Sequence, residues 1–288
     1  MAPQASDPEA LAATLLGAER AVVLTGLRLG GVESLDLTHA GGEWAERASL
    51  EAFLTDPARF WEYFYPTALA IAGRRPGPAH DALARLERAG MVAALVTQSV
   101  DRLHQRAGSM DPVEVYGTVL VLRCERCEER YGLPEAGTLI GASEDGVPRC
   151  TTHGCGYPLR PEGTLWGETL PRAAVERAWE LAADADAFIV LDSDLRTAPI
   201  SLLPSVPLTR GVPLVLVGET PTQYDRYAAR VVRASSAAVI TAVADLIAPR
   251  PAEAPVTIAA CPSSRRSVAD GAAAGVIGRR GRSGRRRR

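Results

Sequence analysis

The sequence predicts an α/β fold: a mostly parallel sheet flanked by helices, carrying an inserted small zinc-binding module and a helical insertion. Two observations carry this. Short apolar runs at 21–26, 92–97, 187–191 and 213–218 alternate with segments of helical length and pattern. Four cysteines, Cys124, Cys127, Cys150 and Cys155, stand as C-x2-C and C-x4-C pairs, a set of thiolates able to close a tetrahedral zinc shell.

At 288 residues and 47% hydrophobic, the chain can bury one large core and a small satellite without staples. No apolar run approaches the roughly 20 residues that span a bilayer. Met1 to Glu9 lacks a basic region leading into an apolar core, so a cytoplasmic protein without membrane attachment is expected. The fifth cysteine, Cys261, lies in a polar tail, and metal ligation is favoured over a disulfide framework.

The net charge of −2 is unevenly spread. From Arg250 onward ten arginines face only Glu253 and Asp270, leaving about −10 on the preceding residues, which excludes nucleic-acid binding there through bulk charge. All 32 basic residues are arginine, and the chain has no lysine and no asparagine, so a compositional bias accounts for much of the tail. Segment 250–288 reads as a disordered Arg-rich extension, the one place where a nucleic-acid contact is conceivable.

In order, 8–20 reads as a helix and 21–26 as a buried strand ending in the glycine-bearing loop 26–31. That loop does not match G-x-G-x-x-G, so a phosphate cradle is weakly supported. Segment 44–72 looks helical, its aromatics Phe53, Phe60, Trp61, Phe64 and Tyr65 belonging to a core or groove, since little basic charge lies among them. A turn at 75–78 leads to a helix over 79–89 and a second strand over 92–97. Beyond it stand Gln98, Ser99, Asp101 and His104, polar residues at the carboxyl end of a parallel strand, where such folds bind ligands. A strand at 113–116, a helix at 171–183, strands at 187–191, 213–218 and 231–233, and a helix at 236–247 complete the pattern. The expected organisation is a nucleotide-binding-type domain over 8–116 and 159–249, a helical insertion over 40–90 within it, and a zinc module over 117–158.

Several short matches in this order resemble the sirtuins, the NAD-dependent protein-lysine deacylases. They are Val22-Val23-Leu24-Thr25-Gly26, Thr97-Gln98-Ser99-Val100-Asp101-Arg102-Leu103-His104, Tyr116-Gly117, the four cysteines, Leu159-Arg160-Pro161 and Gly167-Glu168. Weaker echoes are Ser193-Asp194-Leu195, Ala198-Pro199, and Thr222 with Asp225. The resemblance implies a Rossmann-like domain and a zinc ribbon, with NAD and acyl-lysine meeting between them. It further implies cofactor contacts from Thr25, Gly26, Gln98, Ser99, Asp101 and Ser193, substrate contacts from Trp166, Gly167 and Glu168, and a structural zinc. In the family the acyl oxygen attacks the ribose carbon bearing nicotinamide and a histidine base then activates a ribose hydroxyl, giving free lysine, nicotinamide and an acylated ADP-ribose.

The departures bear on activity. The family's catalytic histidine falls on Tyr116, a phenol with a normal pKa near 10 and a poor base at neutral pH. A family glycine beside the pyrophosphate is Arg28, the arginine of the cofactor loop is His39, an asparagine is Ser99, and another is Gly218. The family's Gly-Thr-Ser is Asp192-Ser193-Asp194, which brings carboxylates toward an anionic dinucleotide. His104 and His153 are the candidate substitutes for the base, and His153 a candidate to displace one cysteine from zinc. The expectation is a sirtuin scaffold with retained zinc, weak or lost deacylation and a binding or regulatory role. The alternatives are an active NAD-dependent deacylase or ADP-ribosyltransferase, and a purely structural zinc-binding subunit. An acyl-lysine protein or peptide is the expected partner; oligomeric state stays open.

Overall fold

The computed structural model describes residues 6–30 and 42–250, with backbone alone at Arg28 and Gly30. The segment 36–39, Cys261 and the remainder of the arginine-rich tail lie outside the described residues. The strands are β1 (Ala21–Thr25), β2 (Ala94–Thr97), β3 (Val113–Glu114), β4 (Val121–Cys124), β5 (Arg130–Gly132), β6 (Leu159–Pro161), β7 (Ala187–Leu191), β8 (Leu214–Val217) and β9 (Arg230–Val232). The helices are α1 (Asp7–Leu16), α2 (Glu43–Arg47), α3 (Leu50–Thr55), α4 (Pro57–Ala72), α5 (Pro78–Arg88), α6 (Leu103–Ala107), α7 (Leu133–Ala142), α8 (Arg172–Asp184), α9 (Ser205–Thr209) and α10 (Ser236–Ile247).

The main sheet runs β3-β2-β1-β7-β8-β9, all parallel. Its central strands are buried throughout because helices cover both faces, and all their residues but Thr25 are apolar. With a side-chain period of two, Val23, Leu95, Ile189 and Val215 enter the core beneath α1, α5 and α10. Val22, Leu24, Val96, Phe188, Val190 and Leu216 enter the opposite core, with Ala178 and Ala182 of α8. Helix ends follow local chemistry: Ser6 and Glu9 form a capping box on α1, and Pro78 opens α5.

The helical stretch expected over 44–72 is three helices rather than one. The Ser49 hydroxyl accepts from the Ala52 N–H at 3.0 Å and starts α3. The Asp56 carboxylate accepts from the Arg59 N–H at 3.1 Å, and Pro57 then opens α4. Each cap ends the preceding helix by supplying a better partner for free backbone N–H groups. Phe53, Phe60, Trp61 and Phe64 are buried against one another, Phe60 meeting Trp61 edge to face at 5.5 Å and Phe64 stacked at 5.1 Å. They are core, as the scarcity of basic charge among them implied.

The cysteine module has its own antiparallel sheet, order β5-β4-β6. Leu122, Cys124, Tyr131 and Leu159 fill its inner face, whereas Arg123, Arg130 and Arg160 alternate with them. Strand β6 carries this sheet past residue 158, and α7 adds a helix that the sequence reading did not anticipate. Among the described residues no helix is long and apolar enough to cross a membrane.

Strand β1 lies between β2 and β7, so the chain crosses over in opposite directions from it, and a crevice opens at the carboxyl ends of these strands. Gly26 forms the floor. Its N–H donates to the Leu191 carbonyl at 2.8 Å, and a Cβ added there would lie 1.9 Å from the Asp192 carbonyl oxygen. Gly26→Ala must therefore part β1 from the β7 loop. We expect a loss of about 1–3 kcal/mol, read as a lower melting temperature at about 2–4 °C per kcal/mol; an unchanged melting temperature would contradict the contact.

Candidate functional site

The crevice gathers the polar residues that end β1, β2 and β7. The Thr25 hydroxyl donates to Thr97 Oγ1 at 2.8 Å, leaving its oxygen to accept from His104 Nε2 at 3.0 Å. His104 is buried beside His80, their ring centroids 4.8 Å apart. Burial, then the neighbouring His80, pushes the His104 pKa down to about 3, so the ring stays neutral at physiological pH. His104 thus braces Thr25 and is not placed as a substitute base.

Gln98 spans the crevice. Its Oε1 accepts from the Ser193 hydroxyl at 2.7 Å, and its Nε2 donates to the Tyr116 hydroxyl at 3.5 Å, a long contact. Asp101 is fully buried; Oδ1 accepts from the Leu103 N–H at 2.9 Å, while Oδ2 has no hydrogen-bond partner. The buried Ser99 hydroxyl is likewise unpartnered. Two such groups facing no protein partner are an invitation to a polar ligand or water.

Tyr116 follows β3 and lies in the wall of an apolar cavity of about 850 Å³. Burial raises its pKa, the Asp194 charge raises it further, and hydrogen bonds from Gln98 and Thr197 act the other way. Gly117 beside it has φ +67°, and a Cβ there would lie 3.0 Å from the Glu162 carbonyl, which fixes the turn. The Tyr116 carbonyl accepts from the Thr164 N–H at 2.8 Å, tying the phenol's backbone to the 164–169 segment.

That segment carries the expected substrate residues. Trp166 and Gly167 line the same cavity, with Trp44, Val100, Val119 and Leu165 deeper in its wall. The Trp166 carbonyl accepts from the Leu50 N–H at 2.9 Å. Glu168 also lines it, but its carboxylate is engaged: Arg160 donates to both oxygens at 2.7 and 2.6 Å, and the Leu165 N–H adds a 2.7 Å bond. This fork-to-fork pair fixes the turn. On the other side of the crevice, Asp192, Ser193, Gly218, Thr222 and Arg233 line a space of about 10 Å³, room for about one water.

The four cysteine Sγ atoms all lie within 4.8 Å of one another, with Cys124 to Cys155 at 3.7 Å and Cys127 to Cys150 at 3.5 Å. A tetrahedron with Zn–S bonds of about 2.3 Å requires edges of about 3.8 Å, so the set fits a zinc ion. The Tyr131 hydroxyl lies 3.2 Å from Cys150 Sγ and 3.0 Å from Thr152 Oγ1, and it accepts from the Thr151 N–H at 3.0 Å, so it packs directly on the thiol set. His153 is exposed and is not part of this cluster.

With this geometry in view, the comparisons with known proteins are specific. A family model described as the Sir2 family matches residues 42–199. The chain belongs to the Sir2 family. NAD-dependent protein deacetylase 1 of Pyrobaculum aerophilum is 33% identical over 229 residues, covering 78% of this chain and 88% of the relative. The structure of Sir2Tm bound to a propionylated peptide matches at TM-score 0.74 and 28% identity, covering 83% of this chain and 97% of that one. A histidine-to-tyrosine mutant of Sir2 with a p53 peptide and NAD matches at TM-score 0.74 and 29% identity, over 84% and 98% of the two chains.

Sirtuins use NAD, and the orphaned Ser99 hydroxyl and Asp101 oxygen beside Gln98 suit the amide of a nicotinamide group. Sequence reasoning missed the packing of His80 on His104 and the tie from Arg160 to Glu168. It also missed Tyr131, which carries no motif and is exposed as a zinc-site partner only by folding. The neutral His104 sets a pH dependence. In the unfolded chain it binds a proton below pH about 6.5, whereas the folded chain resists this down to about pH 3. Stability is therefore lost as pH falls through that window, by roughly 1.4 kcal/mol per pH unit from this group. Denaturation between pH 4 and 6.5 should show this extra slope in the wild type relative to His104→Gln; equal slopes would refute it.

Proposed function

We propose that this Sir2-family protein binds NAD and an acyl-lysine peptide in the crevice, with deacylation weak or lost, so that binding or regulation is its principal role. The observation that carries the reading is Tyr116, placed on the wall of the apolar cavity with its pKa raised by burial. A phenol held protonated donates a hydrogen bond where the reaction requires a base. NAD, when bound, supplies the ribose that receives the acyl group. Gln98, Ser99 and Asp101 would hold its nicotinamide end, Thr25, Gly26 and Ser193 would support the floor, and Trp166 and Gly167 would flank the acylated lysine.

The histidine-to-tyrosine Sir2 mutant solved with a p53 peptide and NAD supports the binding half of this reading, as a tyrosine-bearing Sir2 relative. The roughly one-water space between the β7 and β8 loops supports weakened cofactor affinity. The zinc set, closed by four thiolates, is structural and leaves no position for water. A second reading, NAD cleavage or ADP-ribosyl transfer, is favoured by the Gln98, Ser99 and Asp101 group, because cofactor cleavage does not require the same base.

Tyr116→His tests the assignment. A positioned general base contributes about 10²- to 10⁴-fold in rate, so deacylation of an acyl-lysine peptide should rise by about that factor at saturating NAD. Wild-type turnover already equal to that of the histidine variant would overturn the reading.

A further inference from the structure

The outer face of the cysteine module presents three arginines in one row. Arg123 of β4 is the registered partner of Arg130 on β5 and of Arg160 on β6, so the three side chains leave the sheet on the same side. Like charges placed directly opposite one another repel, and two of the three are relieved. Arg130 pairs with Glu162 at 2.6 Å, and Arg160 with Glu168 at 2.6 Å and Glu125 at 3.0 Å. Arg123, in the middle, has no hydrogen-bond or ion-pair partner among the described residues, and its Nε is buried without an acceptor. The row cannot turn over, because Leu122, Cys124, Tyr131 and Leu159 occupy the inner face.

Arg123 lines a second cavity, of about 820 Å³. Its charged wall consists of Arg102, Arg123, Arg130 and Arg160 against Glu114, Glu162 and Glu168, four guanidinium groups to three carboxylates. Arg102 meets Glu114 at 3.5 Å, which leaves Arg123 as the guanidinium of this wall without a carboxylate partner among the described residues. Thr164, Gly167, Glu168 and Thr169 line both this cavity and the apolar one beside Tyr116, so the 164–169 segment is their common wall.

We propose that Arg123 is an anion subsite that takes the carboxylate of an acidic residue flanking the acyl-lysine in a bound peptide. The inference rests on the acyl-peptide reading above: a peptide lying along the common wall, with its acylated side chain in the apolar cavity, presents a neighbouring side chain to the other. The terminal N–H groups of the Arg123 guanidinium, which are not among its buried atoms, offer a forked donor to a carboxylate in the cavity, the geometry in which Arg is most selective. An unpaired arginine in a like-charge row contributes nothing to folding, so its removal should leave stability unchanged or raised.

Titration calorimetry on the zinc-loaded full chain separates the outcomes. Acetyl-lysine peptides carrying Glu or Gln at each of the two positions on either side of the lysine are compared for wild type and Arg123→Gln. One Glu position should bind the wild type about three- to tenfold more tightly than its Gln counterpart, and the preference should vanish in R123Q while Gln-peptide affinity and melting temperature hold. The same Glu preference in R123Q would overturn the proposal. So would inorganic phosphate binding at Arg123 without any Glu preference, which would make the ligand a free anion. Absence of binding by every peptide would overturn the acyl-peptide reading itself, and the proposal with it.

Discussion

The crevice depends on how closely two backbones meet at Gly26 and Asp192. A side chain as small as a methyl group at Gly26 would strike the Asp192 carbonyl, so the ends of β1 and β7 are held together without an intervening side chain. With those strand ends fixed, the Ser193 hydroxyl reaches Gln98, and Gln98 reaches the Tyr116 phenol. Thr25 is fixed from beneath by Thr97 and the neutral His104. The polar groups of three strand ends are thereby set by packing and by one another, which is the preorganisation a binding site requires.

A second set of ties holds the substrate side. The Arg160 guanidinium joins Glu125, which stands between two zinc-site cysteines, to Glu168 in the wall of the apolar cavity. The backbone bond from Thr164 to Tyr116 attaches the same wall to the Tyr116 turn. The cysteine set, the wall of the apolar cavity and the crevice are therefore one connected structure. A structural zinc can contribute about 10–16 kcal/mol to folding, which holds the cysteines in place whether or not the crevice turns anything over. A phenol whose pKa is raised by burial can still accept the Gln98 hydrogen bond, but it stays protonated at neutral pH.

The parts legible in the sequence were those set by local pattern. Apolar runs identified β1, β2, β7 and β8 because a doubly covered parallel sheet leaves few polar positions, here Thr25 and Thr97 at the strand ends. The cysteine spacing identified the metal set, and Tyr116 was found by its place in a motif. The break at Asp56 was present as an Asp-Pro helix start but was hidden by the apolar pattern running through it. The arginine row was not legible at all, because Arg123, Arg130 and Arg160 become neighbours only through strand register. The engagement of Glu168 was equally hidden, since its partner's role depends on a fold-level contact and not on spacing.

The central claim is that Tyr116 stays protonated where a base is expected, and its own titration measures this most directly. In protein labelled with ¹³Cζ-tyrosine, the Tyr116 resonance, assigned by its loss in Tyr116→Phe, should titrate above the ordinary tyrosine value of about 10, as burial requires. A Tyr116 phenol titrating near pH 7 would contradict the account.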